Sequence, residues 1–179
     1  MNGGHSAAAM LIANPSLVVH SFDIMFWNYS WPVANMLKTG FGRRFILHPG
    51  DSRTTVKEWQ AEVEAKQAKA ADAGGQVKRA DRPCDMLLVD GDHTLVGAIE
   101  DLRNLRPLAA KGAPIVVDDT ASAPGVSLKA MVKSKWLVVN EAFGPYDPPT
   151  RYNRCLRTPS RGAMCLPWGF SVAQYVEKQ

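Results

Sequence analysis

The chain has 179 residues, 46% of them hydrophobic, which is enough apolar surface for one domain with a real core spanning residues 1–179. Its 21 basic and 17 acidic residues leave a formal charge of +4, too small an imbalance to imply a nucleic-acid or anionic-membrane partner without a local cluster. Three cysteines, Cys84, Cys155 and Cys165, form no C-x-x-C pair and leave one over, which argues against a disulfide framework and a structural zinc site and fits the reducing cytoplasm.

In chain order, Asn2-Gly3-Gly4-His5-Ser6 is a glycine-rich turn feeding an apolar helix, Ala7 to Ala13. That run is too short to span a bilayer and follows no basic segment, so it reads as neither anchor nor signal peptide. A strand should precede such a turn, and it would lie upstream of Met1, so the first strand of the sheet is expected to be missing. Apolar segments Leu17 to Phe22, Arg44 to His48, Met86 to Val89 and Ile115 to Val117 then alternate with helical patterns, the signature of a mostly parallel sheet with helices on both faces. Val56, Trp59 and Val63 share one helix face and Gly74-Gly75 ends that helix; Leu95, Ile99, Leu102 and Leu105 make a second stripe ending near Pro107.

Past Lys135 the pattern changes to strands at Trp136 to Val139, Tyr152 to Leu156 and Trp168 to Tyr175. Thr158 to Gly162 supplies turn chemistry for an antiparallel C-terminal hairpin at one edge. The only local basic cluster, Arg151, Arg154, Arg157 and Arg161, lies here, interleaved with Tyr152, Cys155 and Leu156. It reads either as the solvated face of a strand pair or as a phosphate contact.

Chemistry gathers at strand ends. Asp23 closes a strand 19 residues beyond Gly4, the spacing at which a carboxylate accepts both ribose hydroxyls in dinucleotide-type folds. Asp51, in Gly50-Asp51-Ser52, could accept from an adenine amino group or cap the next helix. The sharpest feature is Asp90-Gly91-Asp92-His93-Thr94, with Asp118-Asp119 ending the following strand. Like charges on one sheet edge repel, and a divalent cation is the natural compensation; all-oxygen ligation favours magnesium, manganese or calcium. The structural alternative makes Asp92 and Asp119 helix caps and His93 a surface residue.

Haloacid-dehalogenase-like phosphatases also carry a D-x-D-x-T strand end and a distal acidic pair. Only 27 residues separate Asp90 from Asp118, room for one helix, where those enzymes insert further strand-helix units. Spacing therefore disfavours a phosphatase.

Taken together, Gly3-Gly4-His5-Ser6, Ser21-Phe22-Asp23, Gly50-Asp51-Ser52, Val89-Asp90-Gly91-Asp92-His93 and Val117-Asp118-Asp119 resemble the class I S-adenosylmethionine-dependent methyltransferases, specifically methyltransferase domain 24, from Asn2 to about Lys135. The resemblance implies a Rossmann-like α/β fold, with Gly3, Gly4, His5 and Ser6 near the methionine part of S-adenosylmethionine, Asp23 at the ribose, and Asp51 with Ser52 at the adenine. It further implies magnesium or manganese on Asp90, Asp118 and Asp119, with Asp92 or His93 taking the proton of a small-molecule hydroxyl on a sugar, a phenol or another metabolite. No nucleic acid or membrane is expected as partner, and a homodimer is left open. The absent first strand leaves a second reading, a remnant that at most binds the cofactor. Phe26, Trp27, Tyr29, Trp31, Tyr146 and Tyr152 either line the acceptor pocket or pack in the core.

Overall fold

The computed structural model describes residues 4–75, 81–143, 155–158, 162–165 and 169–177. They fall into two compact units, Met1–Arg82 and Pro83–Gln179.

In the first unit, helix α1 (His5–Ala13) precedes strand β1 (Val19–Asp23), helix α2 (Ser30–Phe41), strand β2 (Phe45–Pro49) and helix α3 (Ser52–Asp72). The strands pair in parallel, Val19 opposite Phe45 and Asp23 opposite Pro49. Ala7 and Leu11, one helical turn apart, pack with Ala34, Leu37 and Phe45 into one buried cluster. The expected stripe of α3 is buried at Val56, Trp59 and Val63. Trp59 meets three rings from the two strands: His20, Phe22 and His48. His20 Nδ1 lies 3.0 Å from His48 Nε2, and burial holds His48 below the usual histidine pKa. Gly74, at φ 62, ends the helix region as its spacing predicts. Helix α2 tolerates Pro32 because the first turn of a helix has no intrahelical use for that N–H.

The second unit runs β3 (Leu87–Val89), α4 (Leu95–Leu105), β4 (Ile115–Val117), α5 (Ala123–Lys133), β5 (Leu137–Phe143), β6 (Cys155–Thr158), β7 (Gly162–Cys165) and β8 (Phe170–Tyr175). Its main sheet has the order β3-β4-β8-β5. Strands β3 and β4 are parallel; β8 is antiparallel to both β4 and β5. Leu87, Val89, Leu102, Ile115, Val117, Leu128, Met131, Leu137 and Ala173 form its core. Where the sequence suggests one hairpin from Tyr152–Leu156 and Trp168–Tyr175, the hairpin is β6-β7, a two-stranded sheet of its own, and β8 is an interior strand of the main sheet. The Tyr175 hydroxyl donates to the Leu102 carbonyl at 2.5 Å, Arg106 donates to the Val176 carbonyl at 2.7 Å, and the Arg106 guanidinium lies over Trp136.

The architecture is α/β and Rossmann-like, with parallel strand pairs joined through helices and antiparallel strands towards the C-terminus. Among the described residues, β1 pairs only with β2 and β3 only with β4. No described helix is long and apolar enough to cross a membrane.

Candidate functional site

In the first unit the expected cofactor residues cluster at helix starts and strand ends. Gly4 caps α1 in a left-handed conformation at φ 72, and a side chain there would run into Val33 and Leu37. Only glycine fits that turn without displacing α2. His5 and Ser6 open α1, whose first turn has no side-chain cap; Gly3 lies outside the described residues. Asp23 ends β1, its carboxylate accepting from the Met25 N–H at 2.6 Å and its carbonyl from the Gly50 N–H at 2.9 Å. Asp23 and Gly50-Asp51 are thus brought to the same carboxyl edge of β1 and β2, where open α/β sheets bind ligands.

Asp51 is the N-cap of α3, accepting from the Arg53 N–H at 2.9 Å, while the Arg53 guanidinium grips both of its oxygens. That hydrogen bonding from Arg53 holds the carboxyl below its usual pKa. The capping role read from the sequence is present, and Arg53 is a partner the sequence does not single out. A side chain two residues into a helix carries no periodic signal that would announce it.

The second unit brings Asp90, His93, Asp118 and Asp119 together at the carboxyl ends of β3 and β4. Asp90 follows β3, and burial, then the charge of Asp118, push its carboxyl above the ordinary range. His93 Nδ1 is 2.9 Å from Asp119 Oδ2, and its Nε2 is 3.8 Å from Asp90 Oδ1. Asp118 accepts from the Asp119 N–H at 2.9 Å, and its own N–H donates to the Val89 carbonyl, tying β4 to β3. Asp119 is left-handed at φ 51, a backbone that Asp tolerates better than most residues.

Asp92 stands apart from that group. Its carboxylate accepts from the Thr94 N–H at 3.0 Å, and Thr94, the N-cap of α4, accepts from the Gly97 N–H at 3.0 Å. Among the described residues Asp92 makes no hydrogen bond to His93 or Asp119, and its carboxylate forms the turn into α4. The expected ligand set of Asp90, Asp118 and Asp119 does not form a cation cage either: among the described residues no three His, Cys, Asp or Glu side chains are placed to hold one ion. Asp118 is turned to the backbone of Asp119, and Asp119 to the imidazole.

Of the aromatic candidates, Phe26, Trp27, Tyr29 and Trp31 follow β1 and are all exposed, so core packing does not account for them. Phe26 stands edge-on to Trp27, whose ring is parallel to that of Tyr29. Tyr146, Tyr152, Arg151, Arg154 and Arg161 lie outside the described residues, and only the backbone of Arg157 is described, in β6. Cys84 is mostly buried, which raises its thiol pKa to about 11 and leaves it unreactive near neutrality.

Three solved structures are similar to the chain, and the first two share its fold. An O-methyltransferase from Streptomyces achromogenes involved in tomaymycin synthesis, TomG, in complex with SAM, is 14% identical with a TM-score of 0.56; the match covers 98% of this chain and 70% of that one. The TDP-rhamnose 3'-O-methyltransferase CalS11 is 14% identical with a TM-score of 0.51, over 94% of this chain and 65% of the other. An O-methyltransferase from Bacillus cereus is 11% identical with a TM-score of 0.49, over 89% and 63%. The chain therefore spans between 63% and 70% of the length of these proteins. No curated protein matches it. The methyltransferase domain family model matches residues 1–120, two thirds of the chain, and the chain belongs to that family.

Proposed function

We propose that the chain is an S-adenosylmethionine-dependent O-methyltransferase acting on a small-molecule hydroxyl, with residues 1–179 serving as one catalytic domain. The observation that carries this reading is the imidazole of His93 held by Asp119 at the end of β4, beside Asp90. A hydroxyl becomes a competent nucleophile only as its proton leaves, and an imidazole oriented by a carboxylate is suited to take it. Bound S-adenosylmethionine supplies an electrophilic methyl group. Gly4, His5 and Ser6 would approach its methionine part, Asp23 the ribose hydroxyls, and Asp51 with Ser52 the adenine. Family membership and the TomG complex with SAM favour this cofactor. Since Asp90, Asp118 and Asp119 do not fit a cation as arranged, no step is assigned to magnesium or manganese.

S-adenosylhomocysteine should raise the melting temperature of the chain, because a ligand that binds only the native state stabilises it. His93→Ala should keep that shift while methyl transfer to a panel of phenolic and sugar hydroxyls disappears. A chain without any shift at millimolar ligand would sink the assignment.

A further inference from the structure

We propose that the imidazole of His93 takes the place of a divalent cation between Asp90 and Asp119, so that hydroxyl deprotonation at this site runs through the His93–Asp119 pair alone. This rests on the methyltransferase reading for its chemistry, but the placement of the ring can be tested without it.

Three carboxylates at one strand edge need a positive or hydrogen-bonding neighbour, and the neighbour present is a side chain of the chain itself. The two nitrogens of His93 face different carboxylates, Nδ1 towards Asp119 at 2.9 Å and Nε2 towards Asp90 at 3.8 Å. Asp118, the third candidate ligand, is already committed to the N–H of Asp119 at 2.9 Å. The left-handed backbone of Asp119 is the sort of local strain that persists where geometry serves a site.

The two nitrogens differ in what they can do. A hydrogen bond from Nδ1–H to Asp119 fixes the neutral ring as the Nδ1–H tautomer and leaves Nε2 an acceptor. At 3.8 Å from Asp90, Nε2 is too far for a hydrogen bond and is open to a substrate hydroxyl. The step then balances: the hydroxyl proton moves to Nε2, the oxygen forms a bond to the methyl carbon, and the carbon–sulfur bond breaks. The products are the methyl ether, S-adenosylhomocysteine and an imidazolium, which returns its proton to water because His93 is about half exposed. Asp119 is a positioning residue in this scheme.

Manganese titrations followed by electron paramagnetic resonance test the placement on the full chain. Wild type should bind no Mn2+ that is lost in Asp90→Asn, whereas His93→Ala should bind one ion at least roughly tenfold more tightly than wild type. His93→Gln serves the same purpose if the alanine variant does not fold. Nitrogen-15 NMR of the His93 ring should show the Nδ1–H tautomer in wild type and its loss in Asp119→Ala, where no acceptor faces Nδ1, a change that a merely structural role would not produce. Manganese binding in wild type that depends on Asp90, no gain on removing His93, or an unchanged tautomer in Asp119→Ala would each overturn the proposal. A missing response to S-adenosylhomocysteine would instead defeat the methyltransferase assignment and leave these readouts intact.

Discussion

Substituting Gly97 by alanine tests how the Asp92–Thr94 turn presents His93. Gly97 is buried in the first turn of α4, and a methyl group there would overlap the Asp92 side chain at its β-carbon, γ-carbon and one oxygen. Asp92 cannot retreat without giving up its bond from Thr94 N–H, worth about 0.5–1.5 kcal/mol net. Movement of the turn also threatens the Thr94 cap on Gly97 N–H, worth about 1 kcal/mol. Against this, alanine in a helix is favoured over glycine by about 1 kcal/mol. The opposing effects leave Gly97→Ala destabilised by roughly 1 kcal/mol, a drop in melting temperature of about 4–8 °C for a unit of this size. Asp92→Gly removes all three overlapping atoms, so in that background the same substitution should stabilise by about 1 kcal/mol. Thermal unfolding of the four proteins of this cycle supplies the measurement. If Gly97→Ala costs the same with and without Asp92, the packing of Asp92 on α4 does not shape the turn, and the reasoning fails.

Leu102 is fully buried in the core of the second unit, so Leu102→Ala should cost about 2.5–5 kcal/mol in denaturant unfolding; a loss under 1 kcal/mol would mean that this core is not formed. His48 is held below the ordinary histidine pKa of about 6.5 chiefly by burial, with Glu62 opposing and Lys66 reinforcing. As pH falls below 6.5 the unfolded chain takes up a proton that the folded chain refuses, so stability should decline through mild acid by at most about 1.4 kcal/mol per pH unit for this group. The decline should flatten in His48→Gln, and an unchanged slope there would exonerate His48.

Much of the fold is legible because burial writes itself into spacing. Ile99, Leu102 and Leu105 form the packed stripe of α4, although Leu95, which opens the helix, is exposed, and the β-branched run Ile115 to Val117 coincides with β4. Helix α2 is harder to foresee, since exposed Trp31 and Met36 blur the contrast between its faces. Strand β7 is hidden because Gly162 and its neighbours resemble turn chemistry. The strand ends bearing Asp23, Asp51, Asp90, Asp118 and Asp119 are all visible in sequence. Which carboxylate faces which partner is not, because orientation at Asp118 and Asp119 depends on one left-handed backbone. Sequence favours a cation where the imidazole of His93 stands.

Strand β8 is made after β4 and β5, yet it lies between them and is bonded to both. On a ribosome the two flanking strands emerge first, with no means of completing the sheet until the polypeptide has been extended past Tyr175. Until then each offers an unsatisfied edge on which another nascent chain could template. Loss of even a short stretch ending in β8 should therefore yield insoluble protein rather than a trimmed but folded one.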